Sequence, residues 1–558
     1  MKRVFNKFKY FFLIIALAGC KKTLDLTPKD QISDASFWKT SQDFQLAAND
    51  FYYGLQEVPE YIDNNSDIAF GTGTDAATGD DYRSLSNGSY LAQLSSPLWD
   101  NSYKSIRATN YLLQKAAASP LGEEINRWVG EALFFRAYHY WHLVKAFGGV
   151  PKIDTVLEVT SPEMYTPRST QQEIVDFILS DLDNAINKLP KQSELSADEL
   201  GRVTQGAALA LKARVALYQG TWAKYHGEGG DAATYISKAV EAANAVVTSN
   251  EYALYTGMGA DSYKYLFILQ GDDSKEVILA RRYYADRIVH NWTRELWFNY
   301  TVPTKNLADM YLCNDGLPID KSSLFQGYQQ LTSEFQNRDP RMSMTFIVPG
   351  SSIFAEGGVW QPTYPGFTGT NATRTGYMIR KFLDETIDAT TFRGAYDFKE
   401  FRYAEVLLIL AEGLYEQNGQ ISDADLDRTI NVLRDRVNMP HLTNAFVAAN
   451  GLNMLNEIRR ERTIELAFEG FRRDDLRRWK TAETVMPQAI RGVKFVGTEY
   501  AQKYPDLKPG ENIQVDANGF IVAEPAGSRR FLPQHYLNPI PLQQIQLSGG
   551  TLEQNPGW

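Results

Sequence analysis

The chain has 558 residues, of which 44% are hydrophobic and 22% charged, a composition typical of a globular protein. Its formal net charge is −10 and its basic residues form no obvious patch, which argues against nucleic acid as a partner. A chain of 558 residues exceeds the size at which a single core usually stops growing, but no linker rich in Pro, Ser or Gly divides it, and we expect one large body.

The first residues have the organisation of a secretory signal peptide. Basic residues, and no acidic ones, precede a short apolar run over residues 10–17. This run is shorter than the roughly 20 apolar residues that span a bilayer as a helix. Leu17-Ala18-Gly19-Cys20 resembles the bacterial lipobox, in which cleavage before the cysteine is followed by its acylation. We therefore predict a signal peptide over 1–19 and lipidation of Cys20; an ordinary signal peptide with an incidental cysteine is the alternative.

Apolar residues then recur at helical spacing in two parts of the chain, 40–250 and 400–482. The strongest pattern runs from Ile125 to Phe147, where two glycines end the helix and Pro151 prevents its continuation. The other predicted helices cover 43–55, 97–118, 170–189, 203–218, 235–247, 403–415, 424–437 and 452–480. Successive helices are joined by short turns, in the manner of degenerate tetratricopeptide repeats.

The two helical parts are separated by residues 255–395, which are rich in Gly, Pro, Thr and aromatic residues and contain strand-like runs such as 344–348. The final segment, 483–558, is rich in Pro and Gly, and Asn518-Gly519 predicts a hairpin turn. We therefore predict a mostly α fold for a single domain over 20–558. Irregular tetratricopeptide-like helical repeats form its scaffold, and a large loop-rich, partly β insertion forms the ligand face.

The predicted helix near residue 470 is unusually charged. It carries a glutamate at every fourth position, with arginines three or four residues away that can offset the repulsion. These residues are Glu457, Glu461, Glu465 and Glu469, with Arg460, Arg472 and Arg473. Asp475 and Trp479 continue its apolar face, where an acidic group needs a partner because an unpaired buried charge is costly. An ion-paired scaffold helix is the favoured interpretation, and catalysis by paired carboxylates is the alternative.

This helix also carries a resemblance to the SusD/RagB family of lipoproteins. Its matching residues are Glu461-Arg462, Glu465-Leu466, Phe468-Glu469-Gly470 and Asp475-Leu476-Arg477-Arg478-Trp479. Further matches follow in the family's order: Leu24-Asp25-Leu26-Thr27-Pro28, Gly130-Glu131-Ala132, Arg136-Ala137, Phe147-Gly148-Gly149-Val150-Pro151, Phe401-Arg402, Ala404-Glu405-Val406, Leu410-Ala411-Glu412, Asn538-Pro539-Ile540-Pro541 and Gln554-Asn555-Pro556-Gly557-Trp558. The resemblance implies a lipid-anchored, surface-exposed outer-membrane protein that caps a SusC-like TonB-dependent transporter and presents a glycan, or sometimes a peptide, to it.

The sequence contains no recognisable catalytic constellation or cofactor motif. His139 and His142 are three residues apart, whereas a zincin needs histidines four apart around a glutamate, and we interpret them as packing residues. The loop 63–67 offers oxygen ligands at alternate positions, like the start of a calcium loop. However, Ile68 and Thr74 stand where such a loop needs Gly and Glu. We expect no cofactor, with a structural calcium ion in this loop as the alternative.

A glycan offers apolar C–H faces that stack on aromatic rings and hydroxyl groups that suit Asp, Asn and Arg. Such side chains occur in two regions, 63–103 and the insertion. The candidate ligand-binding residues are Asp63, Asn65, Asp81, Arg83, Trp99, Asn101, Cys313, Trp360, Tyr377 and Arg380. Trp99 begins a predicted helix and could equally be a structural anchor, and Cys313 is expected on a loop near the same face.

We therefore predict a surface glycan-binding lipoprotein without catalytic activity, whose partners are a glycan, the outer membrane and a SusC-like transporter. A RagB-like peptide-binding partner of such a transporter is one alternative. A glycoside hydrolase is the other, and it would need two carboxylates held about 5–10 Å apart across a cleft.

Overall fold

The computed structural model describes residues 34, 37–57, 63–71, 74, 79–355, 359–369, 372–384, 391 and 393–558. The predicted signal peptide and Cys20 lie outside these residues. The fold is mostly α, as predicted, with short strands between the helical parts. In the part of the chain that is described, no helix has both the length and the apolar character needed to cross a bilayer.

The first helical part confirms most of the predicted helices to within a few residues, but α6 extends eight residues further and the end of the predicted helix 43–55 is a 3-10 helix (Asp50–Gly54). Helix α2 lies in a stretch for which the sequence predicts no helix. It contains α1 (Ser41–Asn49), α2 (Tyr82–Asn87), α3 (Pro97–Ala117), α4 (Asn126–Phe147), α5 (Gln171–Ile186), α6 (Gln205–His226) and α7 (Ala232–Ser249). Each helix from α3 to α7 packs against the next. A capping box between Thr170 and Glu173 begins α5, and Gly148, with a φ of 72°, ends α4. Buried alanines on α6, such as Ala208 and Ala213, allow its neighbours to approach closely.

The insertion and the second helical part contain shorter elements. In the insertion lie α8 (Ser262–Tyr265), α9 (Trp292–Trp297), α10 (Lys305–Met310) and α11 (Pro340–Thr345). They are followed by α12 (Tyr403–Asn418), α13 (Asp423–Asp427), α14 (Ile430–Arg436), α15 (Asn444–Ala449), α16 (Met454–Glu465), α17 (Arg472–Arg478), α18 (Ala482–Val485), α19 (Glu499–Lys503) and α20 (Leu542–Leu547). Helix α12 returns to pack on α7, which joins the second helical part to the first.

The described strands form four two-stranded antiparallel sheets, β1–β3, β2–β6, β4–β5 and β7–β8. Their bounds are β1 (Ala69–Gly71), β2 (Val277–Arg281), β3 (Thr301–Pro303), β4 (Ser352–Ala355), β5 (Val359–Pro362), β6 (Phe398–Arg402), β7 (Ile490–Lys494) and β8 (Phe520–Glu524). The predicted turn at Asn518-Gly519 lies between Val515 and Ile521, which form a bridge. Two large hydrophobic cores result, one among α1 and α3–α7 and one in the insertion.

Three predicted elements differ from the structure. The predicted helix 452–480 is interrupted between α16 and α17, where Phe468 and Gly470 have φ values of 63° and 82°. The predicted helix 424–437 is divided between α13 and α14 at Thr429, whose ψ of −85° is not helical. The strand-like run 344–348 begins inside α11, and only Phe346 forms a bridge, with Ile379.

Candidate ligand-binding surface

Three of the predicted ligand-binding residues are accessible to solvent, and two of them, Asp81 and Arg83, lie together in sequence. The Asp81 carboxylate begins α2 by accepting a hydrogen bond from the backbone N–H of Arg83 at 2.7 Å. The guanidinium of Arg83 lies 3.3 Å from the same carboxylate, and the two side chains are 48% and 44% exposed. Asn101 lies on the exposed face of α3. These polar side chains are accessible to a ligand without any rearrangement of the fold.

A shallow groove lies next to Asp81, between the loop that precedes α3 and the segment that precedes α20. Its lining residues are Asp80, Leu91, Gln93, Ser95, Ser96, Phe147, Asn538, Pro539 and Pro541. The backbone N–H groups of Leu542 and Gln543 donate to the carbonyls of Gln93 and Leu94 at 3.0 and 2.9 Å and hold the two walls together. Leu91 is 70% exposed. The groove therefore combines apolar surface with amide, hydroxyl and carboxylate groups.

Trp99 does not belong to this surface. Its side chain is only 4% exposed, and its ring lies 5.3 Å from that of Phe147 in an edge-to-face arrangement. The reason is the phase of α3: Ser96 caps the helix, Pro97 occupies its first turn, and Trp99 then shares the inward face with Ile106. The structural interpretation of Trp99 is the correct one, and the prediction of an exposed stacking plate is wrong.

Burial also contradicts the prediction of a solvent-facing site at Tyr377 and Cys313. The Tyr377 hydroxyl donates to Glu334 at 2.8 Å, and its ring packs 5.4 Å from that of Phe346. Burial and the Glu334 carboxylate raise the pKa of Tyr377 well above its usual range. Cys313 is a fully buried free thiol whose backbone bridges to Arg338, rather than an exposed loop residue.

The other insertion residues of the predicted site are distributed over different elements. Arg380 is partly buried, and its backbone N–H donates to the Thr345 carbonyl at 2.8 Å. Trp360 lies in β5 opposite Phe354, and its side chain is outside the described part of the structure. Of the predicted insertion residues, Tyr377 and Cys313 are thus buried and contribute no exposed surface to a site with Asp81 and Arg83.

The loop 63–67, the alternative site for a calcium ion, is hydrogen-bonded to the turn before α17. The buried Asp63 carboxylate accepts the backbone N–H groups of Gly470 and Arg472, both at 3.2 Å. Burial raises the pKa of Asp63 to about 7, while these two N–H groups favour its ionised form. Asp67 forms a bidentate pair with Arg472 at 2.7 and 2.9 Å, and Asn65 is partly buried.

These contacts make Asp63 a structural residue rather than an exposed ligand contact. Among the residues that are described, no group of three or more His, Cys, Asp or Glu side chains has the arrangement of a metal site. His139 and His142 lie within α4, and burial lowers the pKa of His139 to about 4, so its ring is neutral. The packing interpretation of His139 agrees with its position, since its ring lies where a Cβ on Gly54 would be.

The glutamates near residue 470 are engaged by arginines from distant parts of the chain. Glu465 contacts Arg341, Arg402 and Arg436 at 3.0, 2.8 and 2.6 Å. Further buried pairs are Glu461–Arg341, Glu461–Arg434, Glu469–Arg402, Glu469–Lys381, Asp475–Arg462 and Asp475–Arg478. The ion-paired, structural interpretation of this segment is therefore confirmed, although the segment forms two helices rather than one.

Most partners of these glutamates differ from those expected, because the helix breaks between α16 and α17. Only Glu457 pairs with the anticipated Arg460, at 3.2 Å. Arg472 instead holds Asp67. Spacing along one helix cannot identify arginines that arrive from β6, α11 and α14, so the sequence offered no signal for them.

Comparison with known proteins agrees with this fold. A model of the SusD family matches residues 215–558, and a model described as "Starch-binding associating with outer membrane" matches residues 24–217. SusD-like protein P38 of Formosa agariphila is 26% identical over 535 residues, covering 87% of this chain and 94% of the relative. SusD-like protein P2 of the same organism is 24% identical and covers 99% of both chains.

Solved structures give the same result. A SusD-like carbohydrate-binding protein from Bacteroides fragilis superposes with a TM-score of 0.76 at 25% identity, covering 92% of this chain and 99% of that one. A second SusD-like protein from B. fragilis superposes with a TM-score of 0.75 at 25% identity and covers 95% of this chain and 100% of the other. Because the family model alone covers more than half of the sequence, the chain belongs to the SusD family.

Proposed function

We propose that this protein is a lipid-anchored glycan-binding protein of the outer-membrane surface. It captures oligosaccharides or polysaccharides and delivers them to a SusC-like TonB-dependent transporter, without catalytic activity of its own. The observation that carries this proposal is the match over 92% of the chain to a SusD-like carbohydrate-binding protein. The engagement of the acidic groups of α16 and α17 by arginines supports binding rather than hydrolysis, since a hydrolase needs an accessible carboxylate pair.

The groove beside Asp81 is our proposed glycan site. Leu91, which is 70% exposed, offers an apolar contact to the C–H face of a sugar ring, in place of the buried Trp99. Pro539 and Pro541 line the groove but are themselves buried in its wall. Asp81 and Arg83, beside the groove, and Asn101 on the exposed face of α3 supply acceptors and donors for hydroxyl groups. Such a site is shallow and open, as binding part of a long polymer requires.

Removing one exposed polar side chain should weaken glycan binding and leave the fold unchanged. For Arg83→Ala we expect about a tenfold loss of affinity, since a hydrogen bond to a charged group contributes about 1.5–3 kcal/mol. The measurement is calorimetric titration with a polysaccharide chosen from a glycan array, accompanied by a thermal midpoint. Arg428→Ala removes another partly exposed arginine, paired with Asp425, and is the matched control.

The same titrations test the alternatives. Unchanged affinity in both Arg83→Ala and Asn101→Ala would place the glycan elsewhere on the protein. Release of shorter sugars from the polysaccharide would indicate a hydrolase, and affinity for peptides alone would indicate a RagB-like protein.

The anchor is tested at Cys20, the last residue of Leu17-Ala18-Gly19-Cys20. Cys20→Ala should abolish acylation and release the protein from outer-membrane fractions, because the lipid supplies about 0.8 kcal/mol of membrane affinity per buried CH₂. Fractionation and metabolic labelling with a fatty acid measure both effects. Membrane retention of the variant in cells that lack the transporter would contradict the prediction.

The partner is tested by purification in mild detergent. We expect a SusC-like barrel to co-purify, with the helical scaffold facing it, since helical repeats offer broad, shallow surfaces. Cross-linking followed by mass spectrometry should join lysines of α3–α7 to the barrel. Cross-links that involve only residues 255–395 would exclude this orientation.

A further inference from the structure

A cavity of about 50 Å³, lined by both polar and apolar side chains, lies where the helical scaffold meets the turn between α16 and α17. Helix α4 contributes His142 and Lys145, α6 contributes Tyr218, α16 contributes Arg462, and α17 contributes Asp474. Lys145 and Asp474 are partly exposed and lie 3.3 Å apart. The cavity is separate from the groove proposed for the glycan, which is lined by none of these residues.

Three of the lining side chains carry buried polar atoms that have no hydrogen-bond partner among the described residues. These atoms are Nε2 of His142, Oη of Tyr218 and Nη1 of Arg462. Arg462 uses its Nε to reach Asp475 at 2.9 Å, which leaves Nη1 as a charged donor facing no acceptor. A buried donor without a partner costs about 1–3 kcal/mol, and more when it is charged. A cavity needs only about 10–15 Å³ to hold one water molecule, so a polar space of this size is expected to hold an occupant.

The charged groups around the cavity indicate the sign of the charge that its occupant carries. Its carboxylates already have partners: Asp474 has Lys145, and Asp475 is shared by Arg462 and Arg478. Glu400 is held by Arg214 at 3.0 Å. The remaining lining carboxylate, Glu469, is held by Arg402 and Lys381. The carboxylates that line the cavity are thus paired, while the free Nη1 of Arg462 can only donate.

The ionisation states of the other two groups leave both of them able to donate. Burial lowers the pKa of His142 well below its usual range, and the positive charges of Lys145 and Arg214 lower it further, so the ring is neutral. Burial raises the pKa of Tyr218, and its hydroxyl therefore stays protonated, although three of the four charges that act on it are arginines. Both groups can donate a hydrogen bond without adding negative charge.

We propose that this cavity binds a small anion, a halide or a short carboxylate such as formate, through Arg462, Tyr218 and His142. The anion satisfies all three groups at once and ties α4 and α6 to α16. This site is independent of the proposed glycan function, and its occupant stabilises the fold whether or not a glycan is bound.

The first test uses the intact protein in mild detergent. Its thermal midpoint is followed while sodium chloride, bromide or formate replaces sodium gluconate at constant ionic strength, because gluconate is too large for the cavity. We expect a saturable rise of the midpoint with the small anions, as mass action predicts for a ligand that binds only the folded state. Comparing halides with formate identifies which anion the site prefers. If gluconate raised the thermal midpoint as much as the small anions do, or if the midpoint rose without saturating, the proposal would be overturned.

Tyr218→Phe gives a second test that does not depend on loss of folding. The hydroxyl has no described protein partner, so its removal costs no hydrogen bond within the protein. It should raise the anion concentration for half-maximal effect about tenfold. Tyr165→Phe, at an exposed tyrosine, should leave that concentration unchanged. A crystal grown in bromide should show an anomalous peak beside Arg462; water alone in the cavity, or an unaltered response of Tyr218→Phe, would refute the anion site.

Discussion

Replacing Glu465 by glutamine is expected to lower the free energy of unfolding by about 3–5 kcal/mol, because it removes one negative charge from a buried ionic cluster. Arg341, Arg402 and Arg436 each keep another carboxylate partner, but their positive charge is then incompletely neutralised. Glu465 is completely buried and touches the guanidinium groups of Arg341, Arg402 and Arg436. Burial opposes its ionisation, but the three cations outweigh that effect and hold the pKa of Glu465 well below its usual range. Glutamine preserves the shape of the side chain and removes only the charge.

Urea denaturation of the two proteins measures this difference. Asp425→Asn is the matched control, since Asp425 pairs with Arg428 at 2.9 Å but both side chains are substantially exposed. Such surface pairs contribute about 0–1 kcal/mol. If Glu465→Gln were as mild as Asp425→Asn, the buried network would have no part in holding the fold together.

Trp99→Ala should lower the free energy of unfolding nearly as much as Glu465→Gln, but for a different reason. Removal of a buried tryptophan creates a cavity and costs about 3–5 kcal/mol. Affinity for the glycan, measured on the fraction that remains folded, should stay within about twofold of the original. Asn101→Ala, two residues further along the same helix but exposed, should change stability by less than about 0.5 kcal/mol.

Calorimetric affinity and thermal midpoint must be measured on the same Trp99→Ala sample. An unchanged midpoint together with lost binding would mean that the ring acts on the ligand, and the groove beside Asp81 would then be insufficient to explain recognition.

The helical part of the fold was accessible from the sequence because its signals are local. Gly148 and Pro151 mark the end of α4, and the capping box at Thr170 marks the start of α5. The break near Phe468 contains Gly470, a local signal that the prediction of one continuous helix did not use. The break at Thr429 was not accessible, since neither a glycine nor a proline marks it.

The candidate site was only partly predictable from the sequence, and the incorrect predictions of its residues have a common cause. Residue type identified Asp81, Arg83 and Asn101 correctly as exposed polar groups, but it cannot distinguish a buried aromatic ring from an exposed one. The spacing of Trp99 and Ile106 already placed both on one helix face. The second wall of the groove follows from the pairing of Gln93 with Leu542, a contact between distant segments that no local pattern encodes.

The arginines that surround Glu465 have a consequence for how the molecule can evolve and unfold. Arg341 belongs to the insertion and lies 124 residues from Glu465, while Arg402 and Arg436 come from β6 and α14. Arg341 has a local partner in Asp339, but Glu465 meets its three cations only when all of these segments are in place. A half-folded chain would therefore contain buried ions with an incomplete set of partners. The insertion and the helical scaffold should therefore melt in one cooperative step. Loops at the surface of the insertion are then free to diverge between relatives, whereas the segments that carry these arginines are not.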